Sequence, residues 1–196
     1  MEHAVQLKKP QPPADSEAFW RTAAQGAEAT PVRYERVHFE QDDHPTHQAL
    51  RLRWVDVDGR AREGWYAIPI GVPTPMPAVL YLPGYGVGTA PINENTMFEK
   101  CITFSINLHG YAVEPNVPYR PELGYFMRGI ESPQSYIYRR LVQDSIVAMR
   151  VLAAQAEVDS SKLIAAGLSQ GGGLAVMLGA WRRLTRCQGG GCLRIL

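Results

Sequence analysis

Ser169 lies in Gly167-Leu168-Ser169-Gln170-Gly171, a setting in which a serine hydroxyl can act as a nucleophile. Left alone, the hydroxyl is a weak one. It needs a base to take its proton and hydrogen-bond donors to receive the charge that develops on the attacked carbonyl. The apolar run Leu163–Ala166 precedes the segment and an apolar helical pattern from Leu174 follows it, the strand–turn–helix context of a nucleophile elbow. On so tight and strained a turn, the positions two before and two after the serine must be nearly free of side chain. Gly167 and Gly171 fill them. The turn would hold the Ser169 hydroxyl clear of the sheet at a helix N-terminus, whose dipole favours a developing negative charge. A Gly-rich phosphate loop or an ordinary strand–helix turn could share the pattern. A Walker-type loop, however, needs Lys followed by Ser or Thr, which this segment lacks.

An acyl-transfer site takes one oxyanion donor from the amide after the nucleophile, here Gln170, and another from a loop after an earlier strand. Leu82-Pro83-Gly84-Tyr85-Gly86-Val87-Gly88 directly follows the apolar run Ala78–Leu82. Its glycines would let backbone amides approach a ligand; a plain Gly-rich turn is the other reading. The base is harder to find. In a nucleophile-elbow fold the triad runs in the order Ser, Asp, His, yet no Asp follows Asp159 and no His follows His109. Using His38, His44 or His47 instead would demand a topology that such a fold does not have.

The elements that must carry these residues can be traced along the chain. A short helix is expected at Ser16–Ala24, with Phe19 and Trp20 on it. Tyr34–Glu40, Leu50–Val55 and Glu63–Ile68 read as strands, and Asp58-Gly59 joins the last two as a hairpin. After the Pro-rich link Gly71–Pro77, the continuous apolar runs Ala78–Leu82, Ile102–Ile106 and Leu163–Ala166 read as strands buried on both faces. A helix is expected at Ser135–Ala156, where Ile137, Leu141, Val142, Met149 and Leu152 recur at helical spacing. Tyr111–Ser132, with Pro115, Pro118 and Pro121, is a long functional loop or an insertion. Alternating buried strands and helices imply an α/β fold with a mostly parallel sheet and antiparallel N-terminal strands.

Composition sets the bounds. The 196 residues are 45% hydrophobic and 20% charged, enough for one globular domain with a core and too few for two. A formal charge of +1 gives no electrostatic reason for nucleic acid or an anionic membrane as partner. No stretch approaches the roughly 20 apolar residues that span a bilayer. The polar, Pro-rich segment Met1–Ser16 has no apolar run of the secretory kind, which leads to the expectation of a cytoplasmic protein. Cys101, Cys187 and Cys192 form no disulfide framework. Cys187 and Cys192 flank Gly189-Gly190-Gly191 without the second pair that a zinc site needs, so no metal is expected.

The chain resembles the acetyl xylan esterases and cephalosporin-C deacetylases, carbohydrate esterase family seven. The resemblance rests on Gly167–Gly173, on Gly84-Tyr85-Gly86, and on Gly124-Tyr125-Phe126-Met127-Arg128-Gly129-Ile130. It extends through Tyr136-Ile137-Tyr138-Arg139-Arg140, Asp144, Glu157-Val158-Asp159 and, near the start, Ala18-Phe19-Trp20. It implies an α/β-hydrolase fold, Ser169 as nucleophile, and an oxyanion hole of the Tyr85 and Gln170 amides. It also implies removal of acetyl groups from short acetylated sugars, without a cofactor, by a homo-oligomer that tends to be a hexamer. Asn107-Leu108-His109-Gly110 stands where the family usually carries Arg-Gly-Gln, with His109 either tuning the pocket or simply a loop residue.

The expected organisation is an N-terminal extension over 1–30, a partial hydrolase domain over 31–181, and an aberrant tail over 182–196. The helical pattern is expected to stop at Trp181, and the tail reads like translation in a wrong frame or past a broken end. With no Asp or His downstream of Ser169, the chain is expected to be an incomplete and inactive esterase. A prolyl-oligopeptidase-like peptidase on the same fold and a non-catalytic remnant or binding subunit are the rival readings.

Overall fold

The computed structural model describes residues 11–38, 44–89, 98, 100–108, 124–185 and 192–195. Helix α1 (Ser16–Ala29) leads into strands β1 (Tyr34–His38), β2 (His47–Val55), β3 (Ala61–Pro69), β4 (Met76–Leu82) and β5 (Ile102–Ile106). A 3-10 turn (Tyr125–Met127), helix α2 (Ile137–Ala153), strand β6 (Val158–Gly167), helix α3 (Gln170–Thr185) and strand β7 (Cys192–Ile195) follow among the described residues. The seven strands form one sheet in the order β1-β2-β3-β5-β4-β6-β7. β1, β2, β3 and β5 pair antiparallel in turn, whereas β5, β4, β6 and β7 run parallel. The mixed, mostly parallel α/β sheet read from the sequence is therefore present.

Each part follows from its residues. β5 is buried at every position and β4 at most of them, as central strands covered on both faces must be. The β2–β3 hairpin closes through Asp56, whose Oδ1 accepts the amides of Asp58 and Arg60 at 2.9 Å each. Gly59 supplies the left-handed residue of that turn at φ +78°. α2 is buried almost all round from Leu141 to Met149 because it lies between the sheet and the other two helices. Its Arg150 Nη1 donates to the carbonyls of Ala27 and Thr30 at 2.7 and 2.6 Å, holding the end of α1.

Three expectations change. α1 runs five residues beyond Ala24, and β6 begins at Val158, where Met76 pairs with it, rather than at Leu163. The third concerns the tail. The helical pattern does not stop at Trp181, since α3 continues to Thr185, with Arg182 and Arg183 in the last turn where the helix dipole favours cations. The sheet continues beyond β6. β7 pairs parallel to it, Lys162 opposite Cys192 and Ile164 opposite Arg194. Gly179 makes room for Ile195 against α3; a Cβ there would overlap the Ile195 side chain. Cys187 and His109 lie outside the described residues, as do 39–43 and 109–123. No helix among the described residues is long and apolar enough to cross a membrane.

Candidate active site

Ser169 is the first residue past the end of β6 and its neighbour Leu168, and it opens into α3 at Gln170. Among the described residues it alone combines a side chain with a left-handed backbone, at φ +55°. Such a conformation costs on the order of 1–3 kcal/mol and persists only where the surroundings force it. Here they do. A Cβ at Gly167 would meet Gly171 O at 2.6 Å and Leu82 O at 2.7 Å, and one at Gly171 would meet Leu82 C at 2.5 Å and Pro83 O at 2.8 Å. β6, the first turn of α3 and the end of β4 thus meet backbone to backbone, and the serine between the two glycines is pushed outward. Ser169 is exposed, and no side chain among the described residues hydrogen-bonds its hydroxyl.

The loop after β4 lies against this elbow. A Cβ on Gly84 would sit 3.8 Å from Ser169 Cβ and 3.5 Å from Leu168 O. Val87 N–H donates to Gly84 O at 3.2 Å, and Gly86, third in that turn, has φ +71°, which a type II turn requires at its third position. Of Gly84 and Gly86, the latter meets a conformational need. Gly84 has space for a methyl in ordinary contact. No hydrogen bond among the described residues occupies the amide of Tyr85 or of Gln170. The structure therefore brings Ser169, Gly167, Gly171, Gln170 and Tyr85 to one edge of the sheet, with an exposed hydroxyl and two amides that no described group occupies. That arrangement can attack a carbonyl and hold the resulting oxyanion.

The segment Gly124–Phe126 joins both parts. Tyr125 donates its hydroxyl to Gln170 Oε1. Tyr85 stacks on Tyr125 and Phe126 at 4.6 Å each, and its hydroxyl accepts the Gly124 amide at 2.6 Å. Burial pushes the Tyr125 phenol up to about 12, against the smaller opposing pull of its bond to Gln170, so it stays a donor at neutral pH. These contacts join residues 39 and 45 positions apart; no periodicity announces them, and only the family-like Gly124–Ile130 segment hinted at their importance.

Among the described residues, the upstream histidines do not reach the site. β2 runs parallel to β4 and β6, so His47 at its start lies at the edge opposite Ser169, as do His44 and, paired with Leu50, His38. Four strand spacings and about seven residues of strand separate His47 from Ser169, roughly 25–30 Å. No group of three or more His, Cys, Asp or Glu among the described residues could hold a metal ion.

A family model, acetyl xylan esterase (AXE1), matches residues 5–187. The chain belongs to this family. Among solved structures it is similar to the acetyl xylan esterase from Paenibacillus sp. R4, with a TM-score of 0.71 and 24% identity over 89% of this chain and 58% of that one. It is also similar to acetyl xylan esterase 1 from Thermoanaerobacterium sp. JW/SL YS485, with a TM-score of 0.73 and 19% identity over 86% of this chain and 55% of that one. At such identities the likeness shows the fold, an α/β-hydrolase sheet. The chain spans between half and three-fifths of the length of these two esterases.

Proposed function

We propose that these 196 residues supply the nucleophile and the oxyanion donors of a carboxylic ester hydrolase that removes acetyl groups from acetylated sugars or similar small esters. Ser169 Oγ attacks the acetyl carbonyl as a base takes its proton. The amides of Tyr85 and Gln170 hold the oxyanion, and the sugar hydroxyl leaves carrying the proton. Water then attacks the acetyl-serine and releases acetate. The reaction needs no cofactor. The observation that carries the reading is the left-handed Ser169 between two glycines that no side chain could replace without displacing Leu82. Family membership supports acetyl esters as the substrate class.

Among the described residues no base stands near Ser169, and no Asp or His follows Ser169 in these 196 residues. The 196-residue chain is therefore expected to acetylate slowly at Ser169 and not to turn over, since the oxyanion hole and binding alone leave roughly 10³–10⁴-fold over water. Prolonged incubation with p-nitrophenyl acetate, followed by peptide mass mapping, tests this. Acetyl on Ser169, absent in Ser169→Ala, is the expected result. A parent whose acetyl groups never include Ser169 refutes the assignment.

A further inference from the structure

The 3-10 turn at Tyr125–Met127 takes no part in the chemistry just described, yet it touches both halves of the oxyanion site. We infer that Tyr125 and Phe126 are positioning residues that set the separation between the Tyr85 and Gln170 amides, an inference that rests on the oxyanion hole proposed above. Gln170 is buried, and its side-chain oxygen accepts the Tyr125 hydroxyl. That bond tethers the first residue of α3 to the turn. On the other side, the Tyr85 ring lies 4.6 Å from the Phe126 ring at an interplanar angle of 7°, and 4.6 Å from the Tyr125 ring at 29°. With the bond from Gly124 N–H to the Tyr85 hydroxyl at 2.6 Å, one three-residue segment fastens both loops.

The segment is itself anchored. Ile137 N–H, the first of α2, donates to Arg128 O at 3.0 Å, and Ser135 Oγ donates to Gly129 O at 2.9 Å. Anchoring of this kind matters because oxyanion donors act only within a narrow range, 2.7–3.1 Å from the developing oxygen. A displacement of about 1 Å costs on the order of 10²-fold.

Tyr125→Phe tests the inference because it keeps the ring and its stack and removes only the hydroxyl. Ser169 acetylation by p-nitrophenyl acetate should slow about tenfold at saturating ester, with the half-saturating concentration unchanged. Gln170→Met, which removes the acceptor and leaves the backbone amide, should slow it equally, and the double variant should be no slower than either alone. A Tyr125→Phe protein that acetylates at the parent rate overturns the inference, as does a double variant whose loss is the product of the two. Amide NMR gives a readout that does not depend on Ser169. The Gln170 amide resonance should move in Tyr125→Phe and that of Tyr85 in Phe126→Leu. Unacetylated Ser169 with both shifts present sinks the catalytic reading alone; either resonance standing still sinks the clamp.

Discussion

Replacing Gly171 with alanine adds one methyl at the closest backbone contact of the site. That methyl would lie 2.5 Å from Leu82 C, still closer to Leu82 O, and 2.8 Å from Pro83 O. Carbon–carbon contacts settle at about 3.5–4.0 Å, so the end of β4 must retreat by about 1 Å. No flexible side chain can absorb the shift, because every atom involved is backbone. Overpacking of this kind costs typically 1–3 kcal/mol, and the rigid partners argue for the upper end. For a chain of this length, about 3 kcal/mol corresponds to a fall in melting temperature of roughly 6–12 °C. Since β4 leads directly into the loop carrying Tyr85, a shift of about 1 Å should also slow Ser169 acetylation by on the order of 10²-fold. Gly172→Ala is the matched control: its methyl meets Gly167 O at 3.2 Å, a fit that needs only tenths of an ångström, and helix propensity favours alanine by up to about 1 kcal/mol. Thermal melts followed by circular dichroism, with acetylation rates beside them, decide the matter. If the two variants melt together and acetylate alike, the backbone contact does not hold the elbow.

The oxyanion loop should show a similar contrast: Gly86→Ala, forced to φ +71°, should lose about 1–2 kcal/mol and acetylate more slowly, whereas Gly84→Ala should stay near the parent rate. Arg150→Met leaves two carbonyls at the end of α1 without their donor, which should cost about 2 kcal/mol and speed amide exchange along Ser16–Ala29. Burial lifts the Asp144 carboxyl from 3.8 to about 7, outweighing the opposing pull of Arg62. A carboxyl raised on folding binds its proton more tightly in the native state, so stability falls as pH climbs from 3.8 to about 7. Asp144→Asn lacks that fall; urea midpoints measured from about pH 4 to about pH 8 should move in the variant's favour as pH rises, and parallel pH profiles would count against the assignment.

Much of this arrangement was legible in the residue order, and the misses have physical reasons. Ile102–Ile106 was bounded correctly because a strand buried at every position leaves a continuous apolar run. Asp58-Gly59 marked its hairpin because only a left-handed residue closes that turn. The start of β6 leaves no apolar period because Asp159, Ser160 and Ser161 are polar and not buried; they fall in the irregularity between the pairs Met76–Val158 and Ala78–Leu163. α1 was cut short before Gly26, which resembles a breaker. There the helix passes close to α2, and a Cβ would meet Gln143 Nε2 at 3.3 Å. β7 pairs with β6 although Cys192–Ile195 has no sequence pattern of its own. At the candidate site, the glycine spacing around Ser169 marks the tight strand-to-helix turn, while the Tyr125–Gln170 bond joins distant segments through chemistry that no local pattern encodes.

The N-terminal hairpin, far from the nucleophile in sequence, is tied to the same edge through charge. β2 runs parallel to β6, so the turn Asp56–Arg60 sits at the strand-end side of the sheet, where Ser169 also lies. Arg62 bridges Asp56 at 2.6 Å and Asp144 of α2 at 3.0 Å, and Arg140 of α2 reaches Asp56 at 3.5 Å and pairs with Asp58. Buried pairs of this kind are weak contributors to net stability, because desolvation consumes most of the Coulombic gain. What they do well is fix register. An apolar contact between α2 and the hairpin would tolerate sliding along the helix axis, whereas two arginines shared among three carboxylates allow one setting. That setting places Ile137 against Arg128 and Tyr138 against Gly173, 2.9 Å from where a Cβ would lie. α2 is thus held at the height at which the Tyr125 turn meets both Tyr85 and Gln170, and the antiparallel strands reach this edge of the sheet through the helix they align.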